Sequence, residues 1–304
     1  MPPELKHEAG FRLDSKMRMG APTLRVRDLE AALSFYQRDI GFAIKNRRAA
    51  PGGLHEVELG FKNATEPILR LRHDPQASVA RQDSAGLYHY AVLLPHRKDL
   101  ASTFLSVGNS GVPYEGFADH SFSEALYLHD VEKNGIEFYA DRPRATWPDW
   151  GRMMQGGYDS FAAMNGPLDF DSLLRELGPA ERSKPEPFPN GARIGHMHLR
   201  VTNLENSVRF YHEQLGLDVN AYIPEMGAAF LSVGGYHHHL GLNTWHSKGG
   251  SPRRDGHAGL DEFRMVLPGV RALDDLSLRF PQSTAKDGRL TLSDPDGIRI
   301  QITA

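Results

Sequence analysis

The stretch TLRVRDLEAALSFYQRDIGF, residues 23–42, decides the fold because it returns as HLRVTNLENSVRFYHEQLGL at residues 198–217. Identities fall at Leu24/Leu199, Arg25/Arg200, Val26/Val201, Leu29/Leu204, Glu30/Glu205, Phe35/Phe210, Tyr36/Tyr211 and Gly41/Gly216. Each copy begins as a short strand. It then carries apolar residues at helical spacing (Leu29, Ala32, Leu33, Tyr36; Leu204, Val208, Tyr211, Leu215) and stops at Gly41 or Gly216. Asp28 and Asn203 are placed to cap the two helices. Extended segments follow in both: HEVELGF and PILRLRH after the first copy, AAFLSVG and HHHLGLNTW after the second.

A second repeat alternates with the first. GLYHYAVLLP at 86–95 resembles GLDEFRMVLP at 259–268, and IEFYADRP at 136–143 corresponds to IQITA at 300–304. An internal repeat governs the whole reading of a chain. The plan is α+β: four βαβββ modules over residues 19–75, 84–142, 193–247 and 257–303, with a linker at 143–192. The linker is rich in Pro, Gly and Trp and holds one clear helix, FDSLLRELG at 170–178, with Asp169 or Asp171 at its start. The stretch HSKGGSPRRDG at 246–256 is polar and glycine-rich and is expected to be a mobile loop.

At 304 residues the chain is long enough for two domains with a sizeable core. A net charge of −3 gives no reason to propose a nucleic-acid partner, and no apolar run approaches a membrane span. The first twenty residues show no apolar core flanked by a cleavage-like site, so no secretory signal is expected. With zero cysteines, disulfides, thiolate catalysis and cysteine metal sites are excluded. The fifteen histidines are the unusual feature, with clusters HMH at 196–198 and HHH at 237–239.

Polar groups converge on DHSFSEALYLHDVEKNGIEFY, residues 119–139. It reads as strands Ala125–Leu128 and Ile136–Tyr139 joined by a polar turn built on Glu132-Lys133-Asn134-Gly135, in which Asn-Gly is the turn signal because both residues tolerate positive φ. Alternation sets Glu137 opposite to Ile136 and Phe138. A carboxylate so flanked must reach solvent or a cation, because burying it unpaired is costly. His120 and Tyr127 precede it, and His89 lies upstream in LYHYAVLLP.

The paired βαβββ modules resemble the vicinal oxygen chelate superfamily, which includes glyoxalases, antibiotic-resistance proteins and extradiol ring-cleaving dioxygenases. SEALYLHDVEKNGIEFYADRP (residues 123–143) and GGYHHHLGLNTW (residues 234–245) are similar to the catechol 2,3-dioxygenase-like group. The resemblance implies two open barrels of paired modules, with metal ligands on the first and last strands of a module. Carried over by position, the first-strand ligand sites are Ala21, His89, His196 and Glu262; the last-strand sites are Glu137 and Gln301. The implied metal ligands are His89, His196 and Glu137, and the last module is a degenerate copy. Two imidazoles and one carboxylate leave open positions on Fe(II), with Mn(II) or another divalent metal as alternatives. The family pattern implies His238 as acid–base, with His239 one residue away, and Tyr127 and His120 as further pocket residues.

These ligands fall in one barrel only if the second module pairs with the third and the first with the fourth. That crossed pairing is the one expected. The implied reaction is oxygen-dependent ring cleavage of a catechol-type aromatic diol, in aromatic catabolism, by a cytoplasmic homo-oligomer. Two other classes use the same scaffold: a glyoxalase-like isomerase or lyase, and a small-molecule binding or resistance protein without chemistry.

Blander readings stand beside these. Alone, His89 reads as a buried, hydrogen-bonded core histidine; its coincidence with a ligand position and with Glu137 favours metal. By alternation His198 shares a face with His196. The residues at 237–239 also suit a solvated strand end, Tyr127 a core aromatic, and His120 a turn. Glu262 reads as solvent-facing or salt-bridged, and the repeated Arg25 and Arg200 as packing or structural ion pairs. The pocket entrance is expected from residues 144–165, including Trp147, Trp150, Met153 and Met154, and from the 246–256 loop.

Overall fold

The computed structural model describes residues 10–155, 162–186, 188–283, 285–286 and 288–304. The strands in chain order are β1 (Arg18–Val26), β2 (Ala43–Ala49), β3 (His55–Gly60), β4 (Leu69–His73), β5 (Gly86–Leu94), β6 (Gly116–Asp119), β7 (Ser123–His129) and β8 (Gly135–Asp141). They continue with β9 (Arg193–Arg200), β10 (Asp218–Ile223), β11 (Ala228–Ser232), β12 (Leu240–Asn243), β13 (Gly259–Val266), β14 (Ala285–Lys286), β15 (Arg289–Ser293) and β16 (Arg299–Thr303). A helix follows the first strand of each group of four: Leu29–Ser34, Arg97–Asn109, Leu204–Arg209 and Val270–Ser277. The fold is four βαβββ repeats in two sheets.

The strand orders are β14-β15-β16-β13-β1-β4-β3-β2 and β10-β11-β12-β9-β5-β8-β7-β6. The second and third groups of four therefore share one sheet, and the first and fourth share the other. That is the crossed order. The chain divides into two compact units, Leu24–Ala77 with His89–Gly195, and Met1–Thr23 with Ser78–Tyr88 and His196–Ala304.

The helix starts are built as the sequence implies. Asp28 Oδ1 accepts from Ala31 N at 2.9 Å, and Asn203 Oδ1 from Asn206 N at 3.0 Å, each satisfying a backbone donor at a helix start. Asp169 does the same for the linker helix Phe170–Arg175 through Ser172 N. Past Ser34 and Arg209 the repeated helices widen into π-helical turns, and the first closes on left-handed Gly41.

Each unit contains the same internal tie. In one, Tyr36 OH donates to Asp130 Oδ2 at 2.8 Å, and Glu132 Oε1 accepts from Arg27 N at 2.6 Å just ahead of a helix. In the other, Tyr211 OH donates to Asp294 Oδ2 at 3.0 Å, and Asp296 Oδ2 accepts from Thr202 N at 2.9 Å. Asp130 and Asp294 also take the backbone N–H groups of their own turns. A buried carboxylate is tolerable when so many donors converge on it. The tie explains why tyrosines recur at 36 and 211.

Two expectations need correction. The positive φ in the β7–β8 turn falls on Lys133 (φ 67°), not on Asn134-Gly135; the matching turn in the other unit has Gly297 (φ 77°) there. Asn134 instead donates its side-chain amide to Asp130 at 2.8 Å. An L-residue held left-handed costs about 1 kcal/mol, so Lys133→Gly is expected to raise unfolding stability by up to about that amount in urea titration. The 246–256 loop, expected to be mobile, is tied down. Ser247 is buried and donates to Val201 O at 2.9 Å, and buried Arg253 pairs with Asp261 at 3.1 Å.

Burial, aided by the negative charge of Asp296, pushes the Asp294 carboxyl up to about 6, against the opposing hydrogen bonds from Ile298 N and Tyr211. In the unfolded chain an aspartate titrates near 3.9. Between about pH 4 and 6 the folded protein holds the extra proton, so stability falls as pH rises through that window. The gap corresponds to at most about 3 kcal/mol. Asp294→Asn is expected to lose correspondingly less stability than the parent between pH 4 and pH 7, measured by urea unfolding at both.

Candidate metal centre

β5 and β8 run parallel, with Ala91 beside Glu137, and β7 sets Tyr127 opposite Glu137 from the other side. His89 Nε2 lies 2.9 Å from Glu137 Oε2. Exposure is 6 % for His89, 2 % for Glu137 and 2 % for His196. Each of the three offers one ligand atom, and these atoms lie within 4.8 Å of one another; among the described residues it is the one such group.

The donor set fits a divalent cation. Two atoms each about 2.1 Å from an ion and at right angles to one another are about 3.0 Å apart. The His89–Glu137 separation matches that. Three buried ligands with one negative charge suit an ion that retains open positions.

The neighbouring residues divide clearly. His120 Nε2 is 2.7 Å from Tyr127 OH, and the Tyr127 ring packs at 5.6 Å on His89. The His238 ring sits 4.1 Å from that of His196, and His237 Nδ1 lies 2.8 Å from His238 Nδ1. His239 is turned elsewhere: its Nδ1 is 3.1 Å from Ser232 Oγ, and its backbone joins the β11 and β9 strands. His237 was missed by sequence reasoning as a partner of His238. The triplet at 237–239 was the available signal, but nothing in it ranks the three. Asn220, whose side chain donates to Tyr236 O at 2.7 Å and His237 O at 2.9 Å, gave no signal at all.

A catechol-2,3-dioxygenase of Bacillus subtilis (strain 168) is 38 % identical to this chain over 257 residues, covering 84 % of this chain and 85 % of that protein. The family model described as glyoxalase/bleomycin resistance protein/dioxygenase superfamily matches residues 193–302. The chain belongs to this superfamily.

Solved structures agree with the superfamily fold. Glyoxalase I from Zea mays matches with a TM-score of 0.57 at 16 % identity, over 94 % of this chain and 92 % of that one. A structure from Bacillus subtilis subsp. subtilis str. 168 matches with a TM-score of 0.62 at 10 % identity, over 96 % and 86 %. At these identities the likeness concerns the fold alone.

At the corresponding superfamily positions of the other sheet, the residues are engaged differently. Glu262 is buried, accepts from Thr23 Oγ1 at 3.3 Å and lies 3.4 Å from Arg264 Nη2, so it is ion-paired rather than solvent-facing. Arg25 forms the structural ion pair expected of it, with Asp74 at 2.5 Å. Trp150 stacks on Phe122 at 4.6 Å, while residues 156–161 of the expected entrance, and the side chain of Met154, lie outside the described residues. Among the described residues no helix is long and apolar enough to cross a membrane.

Proposed function

We propose that the protein is an extradiol dioxygenase, cleaving the ring of a catechol-type substrate with O2 at a divalent metal held by His89, His196 and Glu137. Fe(II) is the metal of choice, with Mn(II) as alternative. The observation that carries the reading is the buried His–His–Glu group in a chain so similar to a catechol-2,3-dioxygenase.

A divalent iron held by His89, His196 and Glu137 would supply Lewis acidity toward an aromatic diol. Charge sets what the side chains must do. Two neutral imidazoles and one carboxylate would leave a divalent cation there with one net positive charge, so the site would favour a catechol that has lost one proton. One proton must therefore leave the diol. His238 is the acceptor, since an imidazole titrates near neutrality and takes and returns a proton readily. Its Nδ1 is engaged by His237 Nδ1 at 2.8 Å, which fixes the ring and assigns the transfer to Nε2. Tyr127, oriented by His120 at 2.7 Å, both donates and accepts at the substrate oxygens. Burial of all three ligands excludes bulk water and strengthens each of these interactions.

The test is to load the protein with Fe(II) without oxygen, add catechols and admit air. Oxygen uptake with a yellow ring-opened product is the expected result. No oxygen uptake across a broad catechol panel would favour the other two classes, the isomerase or lyase and the binding or resistance protein. Within the site, His238→Ala is expected to lower kcat by about 100-fold or more, and His239→Ala by far less, in steady-state oxygen-electrode assays. Equal losses would return the acid–base role to either histidine.

A further inference from the structure

The two repeat copies keep one arginine in different company. Main-chain bonds align them: Ile68 N donates to Leu59 O at 2.7 Å, and His239 N donates to Leu231 O at 2.8 Å. Leu69 therefore matches Leu240, and by the same register Glu58 matches Phe230, Arg70 matches Gly241 and Asp74 matches Trp245. In the first copy these positions are charged and satisfied. Arg25 meets Asp74 at 2.5 Å, Arg70 meets Glu58 at 2.9 Å, and Arg72 meets Glu56 at 2.9 Å.

In the other copy Glu58 and Asp74 are replaced by the rings of Phe230 and Trp245, and Glu56 by Ala228. Trp245, 44 % exposed, packs 5.6 Å from His198 and 5.1 Å from Tyr88; Tyr88 and His198 are 5.0 Å apart. The series continues from His198 to Phe230 at 6.1 Å, to His238 at 5.1 Å and to His196 at 4.1 Å. Gly241 is what admits the His198 ring, which a Cβ at 241 would meet at 2.9 Å. The rings thus run without a break from the surface to a metal-ligating histidine, all within one compact unit.

Arg200, the counterpart of Arg25, survives this replacement without its aspartate. Its Nε is buried and makes no hydrogen bond, and Nη1 reaches only Gln82 O, at 3.5 Å. Among the described residues no carboxylate pairs with it. The guanidinium lies close enough to Tyr88 for the two to interact electrostatically, and burial pushes its pKa down. A half-buried cation without a counter-charge is costly and is relieved by an anion.

We propose that Arg200 and the rings of Trp245, Tyr88, His198 and Phe230 form a subsite for the side chain of the substrate, so that the preferred catechol carries an apolar substituent ending in a carboxylate. The catechol half of that statement rests on the ring-cleaving reading above; the anion-and-ring half rests on the comparison of the two copies. Four residues of strand separate His196 from Arg200, roughly 13 Å along β9. The substituent therefore has several atoms between ring and carboxylate. Guanidinium pairs with carboxylate through parallel N–H donors, and aromatic walls suit the apolar portion.

Calorimetry with 4-phenylbutyrate and its neutral amide tests this, because neither is a diol and neither is turned over. The wild-type protein, with and without Fe(II), is expected to bind the acid at least about tenfold more tightly than the amide. Arg200→Met is expected to erase that preference, Arg200→Lys to retain part of it, and Trp245→Ala to weaken acid and amide alike. Equal binding of acid and amide by the wild type, binding of neither, or an undiminished acid preference in Arg200→Met would overturn the proposal. Should Arg200→Met fail to fold, Arg200→Lys with the acid–amide comparison at high salt decides, since a charge-borne preference shrinks with ionic strength. Oxygen uptake with simple catechols reports separately on the ring-cleaving reading, so the two fail independently.

Discussion

Glu137→Ala is expected to lower Fe(II) affinity by more than about 100-fold, because changes to partners outside the ligand set alone cost about 10- to 100-fold. The carboxylate is the only negative charge in the ligand group, and without it two neutral imidazoles must hold a doubly charged ion. Metal-free stability gives the complementary readout. Without the ion the 2 % exposed carboxylate keeps its contact with His89 Nε2 at 2.9 Å, so the metal-free variant is expected to lose no more than about 3 kcal/mol against the metal-free parent, the scale of a hydrogen bond to a charged group. Adding metal at about 100 times its Kd stabilises the parent by about 2.7 kcal/mol through mass action, and that gain disappears in the variant. Thermal melts with and without Fe(II), Mn(II) and Zn(II) measure both. A variant that still gains the full metal-induced shift would place the ion elsewhere.

Gly195→Ala is expected to be the most damaging small substitution next to the site. A Cβ at 195 would collide with Tyr139 Oη and lie 2.7 Å from its ring carbon and 3.0 Å from Leu93 Cβ. Tyr139 is fully buried, so its rigid ring has nowhere to retreat. Overpacking of this kind costs about 1–3 kcal/mol and occasionally more, and the upper end is expected here. Removing the hydroxyl in Tyr139→Phe relieves the closest clash but leaves the ring carbon in the way. The double variant is therefore expected to recover part of the loss, and a double-mutant cycle in urea measures the coupling. Additive losses would show that β9 shifts instead of the tyrosine. Because His196 is the next residue, metal affinity in the single variant is expected to fall along with stability.

How much of this was legible beforehand follows from what repeats can and cannot encode. Module plan and helix caps were readable because Asp28, Asn203, Gly41 and Gly216 recur at fixed offsets, and the crossed strand order followed from the ligand set that the superfamily resemblance implies, since only that order brings His89, His196 and Glu137 into one sheet. The ties Tyr36–Asp130 and Tyr211–Asp294 were equally present in the repeat, yet a buried tyrosine at helical spacing looks the same as any core residue until its partner is seen. The left-handed residue at Lys133 went to a lysine because the Asp130 carboxylate collects the Glu132 and Asn134 N–H groups, and that wrapping dictates the backbone between them. Within HHH, the His239 ring is set by Ser232 Oγ and the backbone at 236–237 by the Asn220 side chain, partners that the triplet itself does not reveal. The expected loop at 246–256 looked mobile by composition. Buried Ser247 and Arg253 hold it through partners that composition does not reveal.

The central claim is that His89, His196 and Glu137 hold a single ion. Anomalous diffraction at the iron edge from crystals of the Fe(II)-loaded protein tests it most directly. One peak within about 2.3 Å of a His89 nitrogen, a His196 nitrogen and a Glu137 oxygen is the expected result. A peak bonded to other side chains, or none there at full iron content, would contradict it.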